Sequence, residues 1–201
     1  MRTRRILVTL AAAATTFTMA APTASAADTT PEEPVTPVIA EYNGKQINLA
    51  EDWEGAQICT ELAGGNVRCY DDEAAAQEDV APAPAALKRA NPDKGLPGKC
   101  APDYWCLFEH ANYKGRKLQF HDTGTRKLAN WGFRDKTSSI YRFAWRYGMK
   151  GATMIDYRSG VLHDRTRRLG STSEAAYPNL KNLAYPGGGN WNDKVDAFKI
   201  D

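Results

Sequence analysis

Residues 100–116, CAPDYWCLFEHANYKGR, constrain the fold of this chain more than any other stretch. Cys100 and Cys106, with five residues between them, open onto a strand-like run carrying Phe108, and Tyr113 and Gly115 follow. In an exported chain this pattern reads as the disulfide-stapled start of a small β-domain. Function in such a domain falls to loops and surface rather than to a buried catalytic pocket.

The N-terminus predicts export. Residues 1–26 read as a signal peptide: Arg2, Arg4 and Arg5 form a basic head, residues 6–14 an apolar run, and Ala24-Ser25-Ala26 a small-residue cleavage site. The apolar run is too short to span a bilayer, and no later stretch approaches the roughly 20 apolar residues that spanning needs. The mature protein is therefore expected to be secreted, extracellular and monomeric, with no transmembrane segment. Export makes all four cysteines disulfide candidates. Three connectivities are open, and the local one is favoured, Cys59–Cys69 with Cys100–Cys106. Cys59 and Cys69 lie symmetrically about Gly64 and suit facing positions on a hairpin. A zinc site is disfavoured, because there is no CxxC and His110, His121 and His163 are scattered.

Charge divides the chain. Residues 27–87 hold thirteen acidic and two basic residues, net −11, whereas residues 97–201 hold ten acidic and eighteen basic, net +8. The two parts either attract each other or meet different partners. The predicted organisation is a signal peptide over 1–26, a disordered leader over 27–37, a small acidic disulfide-stapled module over 38–79, a Pro/Ala-rich linker over 80–98 and a basic domain over 99–201. In the module, Asn43-Gly44 signals a hairpin turn, a short helix is expected near residues 50–56, and a second within 71–79. Some thirty residues bury little core, so the module needs its disulfide if it stands alone. Lys88-Arg89 in the linker offers a protease site whose cleavage would make the acidic part a pro-segment.

From residue 99 onward the pattern is strand-like. Residues 141–147, YRFAWRY, alternate aromatic with small or charged side chains. An internal echo supports duplication: Asn130-Trp131, then Asp135-Lys136 and a strand, is followed sixty residues later by Asn190-Trp191, Asp193-Lys194 and a strand. The expected fold is mainly β, an antiparallel sandwich of about 100 residues.

On these residues, 99–201 resembles the βγ-crystallin fold, a double Greek-key sandwich. Within it the segment is similar to the secreted peptidase inhibitors typified by the Streptomyces metalloproteinase inhibitor, which open their domain with the same cysteine spacing. The resemblance implies that Phe108 and Tyr113 form an aromatic corner beside the fold-over at Gly115, hydrogen-bonded by Ser138 or Ser139. Tyr157 and Gly160 stand in for the corner in the second half. The fold often binds calcium through two loops, here in degraded form. Residues 134–139 (RDKTSS) lose the first oxygen ligand to Arg134, and residues 192–197 (NDKVDA) replace the hydroxyls by Asp196 and Ala197. Asp135, Ser138, Asp193 and Asp196 are the calcium candidates, although no cofactor is required and turn-capping is the simpler role.

The resemblance further implies a non-catalytic inhibitor of an extracellular protease, with a metalloproteinase favoured. Members present a loop held by a second disulfide late in the domain, and no cysteine follows Cys106 here. Two stretches could substitute, residues 165–174 and 185–191, with Arg165, Arg167, Arg168, Leu169, Tyr185 and Trp191 as the inhibitory-loop candidates. No catalytic residues are expected: GxSxG, HExxH and a phosphate-binding glycine loop are all missing, and each histidine–acid pair is adjacent in sequence. The alternative is a basic, aromatic-rich protein that binds an anionic cell-wall polymer or carbohydrate, possessing antimicrobial action, through Trp105, Trp131, Trp145 and Trp191. Nucleic acid is not an expected partner.

Overall fold

The computed structural model describes residues 34–80, 100–143, 151–158, 162–170 and 174–201. The signal segment, Lys88-Arg89, Trp145 and Gly160 lie outside the described residues. Among the described residues no helix is long and apolar enough to cross a membrane.

Chain order runs β1 (Ile39–Tyr42), β2 (Lys45–Asn48), β3 (Ile58–Glu61), β4 (Val67–Tyr70), a short helix α1 (Glu73–Asp79), then β5 (Trp105–His110), β6 (Lys114–Phe120), β7 (Gly124–Lys127) and β8 (Ser139–Phe143). The last four strands are β9 (Ala152–Asp156), β10 (Arg165–Leu169), β11 (Glu174–Tyr177) and β12 (Ala197–Ile200). One sheet has the order β11-β8-β5-β6-β3-β4-β1-β2, the other β10-β9-β12-β7. Strands β5–β8 and β9–β12 are two Greek keys. The third strand of each crosses to the other key's sheet: β7 pairs with β12, and β11 with β8. This reciprocal exchange is the βγ-crystallin-like double Greek key.

The period of two along β5 builds the core. Trp105 and Leu107 face the space between the sheets, while Cys106 and Phe108 face a second cluster with Tyr104 and Tyr141. Trp105 meets Phe198 of the opposite sheet edge-on at 5.6 Å, and Phe120 meets Trp131 at 4.9 Å. Each such side chain contributes about 1.5–3 kcal/mol through burial.

The acidic residues 38–79 are not free-standing. Their hairpin β3–β4 sets Cys59 directly opposite Cys69, and the two are bonded. Beyond that hairpin, β3 pairs in parallel with β6, matching Cys59 to Leu118 and Thr60 to Gln119. Gln119 Nε2 donates to Thr60 Oγ1 at 2.9 Å in the buried joint. Trp53 Nε1 donates to the Trp131 carbonyl at 2.8 Å, and its ring stacks on Phe133 at 5.7 Å. Gly132 has φ +60°, and a Cβ there would sit 2.2 Å from the Leu49 carbonyl oxygen, so only glycine admits this approach. These 42 residues, too few to enclose a core of their own, share that of the sandwich. Charge follows the same logic: Arg126 pairs with Glu61 at 2.6 Å, and Lys117 pairs with Glu73. The opposite charges of the two parts meet at these pairs.

The helix expected near residues 50–56 is replaced by turns. Asn48 Oδ1 accepts from Ala50 N at 3.1 Å, and Glu54 and Gly55 have φ of +49° and +95°, which no α-helix accommodates. Asn43 and Gly44 do form the β1–β2 turn, with φ of +50° and +75°. Helix α1 is capped by Asp72, which accepts from Ala75 N at 3.0 Å.

Candidate functional site

The first Greek key closes on itself. The Cys100–Cys106 disulfide anchors the start of β5, and with Cys59–Cys69 it leaves no free cysteine among the described residues. Asn112, Tyr113 and Gly115 turn the β5–β6 hairpin over with φ of +59°, +60° and +76°. A Cβ on Gly115 would meet the His110 ring at 2.8 Å. Phe108 and Tyr113 pack edge-on at 5.6 Å. Ser139 Oγ donates to the His110 carbonyl at 2.6 Å and accepts from Tyr113 N at 3.1 Å, so Ser139 holds the corner. Ser138 does not; its hydroxyl donates to Asp193 Oδ1 at 3.1 Å.

The two degraded loops meet about a local two-fold. Asp193 N donates to the Thr137 carbonyl at 3.1 Å, and Asp135 N donates to the Val195 carbonyl at 3.2 Å. Ser138 N donates to Phe108 O and Asp196 N to Ile155 O, each at 2.9 Å. Phe108 thus corresponds to Ile155, Ser138 to Asp196, Ser139 to Ala197, and Glu109 to Asp156. Asp135, Ser138, Asp193 and Asp196 do come together here, yet the oxygens of Asp193 and Asp196 accept from protein donors and the Ser138 hydroxyl is spent on Asp193. Asp196 Oδ1 accepts from Arg134 Nε at 2.5 Å, and Oδ2 from Tyr157 N at 2.7 Å. Both Asp193 oxygens are engaged, by Ser138 Oγ and by Asn192 Nδ2 at 2.5 Å. No cluster of three or more His, Cys, Asp or Glu among the described residues is arranged for a metal. This arrangement does not fit the six to eight oxygens calcium takes. Burial pushes the Asp196 carboxyl up to about 6, against the Tyr157 N–H and the Arg134 guanidinium. Burial likewise raises Asp135.

The second key is open where the first is closed. Asp156, Tyr157, Arg158, Leu162, Arg165, Tyr185, Pro186, Gly187 and Lys194 line a cleft of about 520 Å³. Tyr157 is 36 % exposed and Leu162 51 %, unusually high for large apolar side chains. Asp156 accepts the Tyr185 hydroxyl, and Lys194 Nζ lies 5.4 Å from the Tyr185 ring centre. Arg165 Nε is buried without a hydrogen-bond partner, although Arg165 stands opposite Asp156 in the β9–β10 ladder.

Two of the inhibitory-loop candidates are corrected by burial. Leu169 is 1 % exposed and Trp191 0 %, so both serve the core and neither can touch a partner. Residues 165–169 are a strand, β10, at the edge of the four-stranded sheet. Arg168 pairs with Asp201, and Arg167 is exposed on that strand. Arg165 and Tyr185 alone converge on the cleft. Arg158, Leu162 and Lys194 were not singled out by sequence reasoning; the run of basic residues around 158–168 was the available signal. His121 Nδ1 lies 2.9 Å from Asp122 Oδ1, a contact that residue order argued against, on an exposed turn. Trp53, Trp105, Trp131 and Trp191 are all buried, which removes them as stacking platforms for sugars.

A disulfide-stapled, βγ-crystallin-like sandwich with an open second key is the class of protein that this geometry defines. Within it, residues 94–142 match the model of peptidase inhibitor family I36. The matched 49 of 201 residues run through the first Greek key. Among solved structures, the chain is similar to the N-terminal domain of protein S, with 15 % identity, 49 % of this chain and 94 % of that chain covered, and a TM-score of 0.33. Spherulin 3a from Physarum polycephalum is similar at 13 % identity, covering 53 % and 89 %, with a TM-score of 0.33. The fold assignment rests on the strand exchange described above. The comparison with curated proteins finds no match.

Proposed function

We propose that this chain is a secreted inhibitor that blocks an extracellular metallopeptidase without chemistry of its own. The observation that carries the reading is the match of residues 94–142 to peptidase inhibitor family I36. Closure of all four cysteines in disulfides supports an oxidising, extracellular setting. The contact face in this reading is the cleft of the second key. Arg158, Arg165 and Lys194 suit the acidic cleft of a peptidase, and Tyr157 and Leu162 supply apolar contact. Arg165 is half-buried on this face, and the part of its side chain left accessible suits a carboxylate or carbonyl of the enzyme. Strands β9 and β10 hold Asp156 and Arg165 of this face in place, which lowers the entropy lost on binding.

The test is inhibition by the full mature chain across panels of metallo-, serine and cysteine peptidases. Near-stoichiometric inhibition of a metallopeptidase is the expected result. Inhibition confined to a serine or cysteine class would overturn the target, and none by a folded chain would overturn the function. Arg165→Glu and Lys194→Glu should each weaken inhibition on the order of tenfold. Unchanged inhibition by both would remove the cleft as the contact face.

A further inference from the structure

We infer that the Arg134 guanidinium serves as a built-in cation at the junction of the two Greek keys, occupying the role a bound metal ion would otherwise fill there. The local two-fold makes the argument. Asp135 and Asp196 occupy corresponding sides of one half of the junction, as Asp193 and Ser138 do of the other. Two carboxylates brought together need a positive charge between them. Arg134 supplies it: Nε lies 2.5 Å from Asp196 Oδ1 and 3.7 Å from Asp135 Oδ2. Asp196 is 2 % exposed and Arg134 40 %, so the guanidinium enters from solvent and covers a buried carboxylate. Unlike a metal ion, this cation is covalently attached and present at any calcium concentration.

The pairing also reaches the cleft. The second oxygen of Asp196 accepts from Tyr157 N at 2.7 Å, and Asp196 N donates to Ile155 O at 2.9 Å. Arg134 fixes the Asp196 carboxylate, and Asp196 fixes the end of β9 where the chain enters the cleft. Arg134 is thus a positioning residue for the cleft rim. Its role is independent of whether the cleft binds a peptidase.

Thermal unfolding of the full mature chain, with EGTA or with millimolar calcium, tests this. The Asp135–Asp196 half of wild type needs no metal, so the wild-type Tm should differ by less than about 1 °C between the two conditions. Arg134→Asn, which restores an oxygen ligand and removes the charge, should lose about 5 °C in EGTA and recover most of it with calcium. A calcium increment no larger in the variant than in wild type, or no loss in EGTA, would overturn the inference. Should Arg134→Asn fail to fold in both conditions, Arg134→Lys decides. A lysine variant that folds in EGTA and ignores calcium upholds the built-in cation, and one that fails to fold, or that needs calcium, overturns it.

Discussion

The two Greek keys place the same pair of side chains at corresponding positions and use them differently. In the first, Glu109 near the end of β5 takes Arg116 of β6 in a two-pronged ion pair, with Nε at 2.9 Å and Nη2 at 2.7 Å. In the second, Asp156 near the end of β9 stands opposite Arg165 of β10, but accepts from Tyr185 instead. The Arg165 Nε is left buried and unpartnered beside the cleft. The corner follows the same split. Phe108, Tyr113 and Ser139 close the first hairpin, whereas Ala197 offers no hydroxyl to the second and Tyr157 is exposed. At this ion pair and this corner, one copy of the motif satisfies its polar groups internally and supplies stability. The other leaves the Arg165 Nε without a partner and Tyr157 and Leu162 exposed.

The largest test of that contrast compares the aromatics. Phe108→Ala removes a 2 %-exposed ring from the closed corner and should cost about 3–5 kcal/mol in denaturant unfolding. Tyr157→Ala, on the open side, should cost less than about 1 kcal/mol while weakening inhibition. A comparable loss of stability from both would mean that the second corner is closed like the first.

The next test uses the residues that follow the two echoed Asn-Trp pairs. Gly132 backs against the Leu49 carbonyl, whereas Asn192 is half-buried at the other junction. Gly132→Asn should cost about 1–3 kcal/mol by forcing residues 38–79 away from the sandwich. The reverse change, Asn192→Gly, should cost well under about 1 kcal/mol. The same packing predicts that cutting the chain within residues 81–99 leaves the acidic part attached: the two pieces should co-elute from a sizing column until denaturant is added. Separation in native buffer would restore the pro-segment that the Lys88-Arg89 pair suggests.

What was legible in the sequence was local. The cysteine spacing, the Phe108–Tyr113–Gly115 corner and the Asn-Gly turn each follow from neighbours in the chain, whose backbone requirements residue type alone signals. The Asn-Trp echo pointed to duplication, and in both copies the tryptophan is buried in the core. What escaped depends on contacts between distant residues. Parallel pairing of β3 with β6 leaves no turn signature, so residues 38–79 read as a separate module. Leu169 and Trp191 look like loop anchors until the opposite sheet covers them. The cleft draws on four separate stretches of chain. Arg134 read as a lost ligand, because its charge acquires meaning only beside Asp196.

The smallest expected effect returns to the two ion-pair positions. The Arg116 guanidinium holds the Glu109 carboxyl below its ordinary value of 4.5. A carboxylate whose folded pKa is depressed adds stability that is present above its unfolded pKa and lost as pH falls through the folded value. Both partners remain partly exposed, with 26 % and 22 % of their side chains accessible, so the contribution is below about 1 kcal/mol. Glu109→Gln should therefore lower Tm slightly at neutral pH, and the gap to wild type should close as pH falls from 4.5 through the depressed folded value. Asp156→Asn makes the matching comparison in the second key. Arg165 gives Asp156 no ion pair there, so Asp156→Asn should lower Tm at neutral pH by less than Glu109→Gln does. An equal loss of Tm from both at neutral pH would mean that Arg165 is as fully committed to its strand neighbour as Arg116 is.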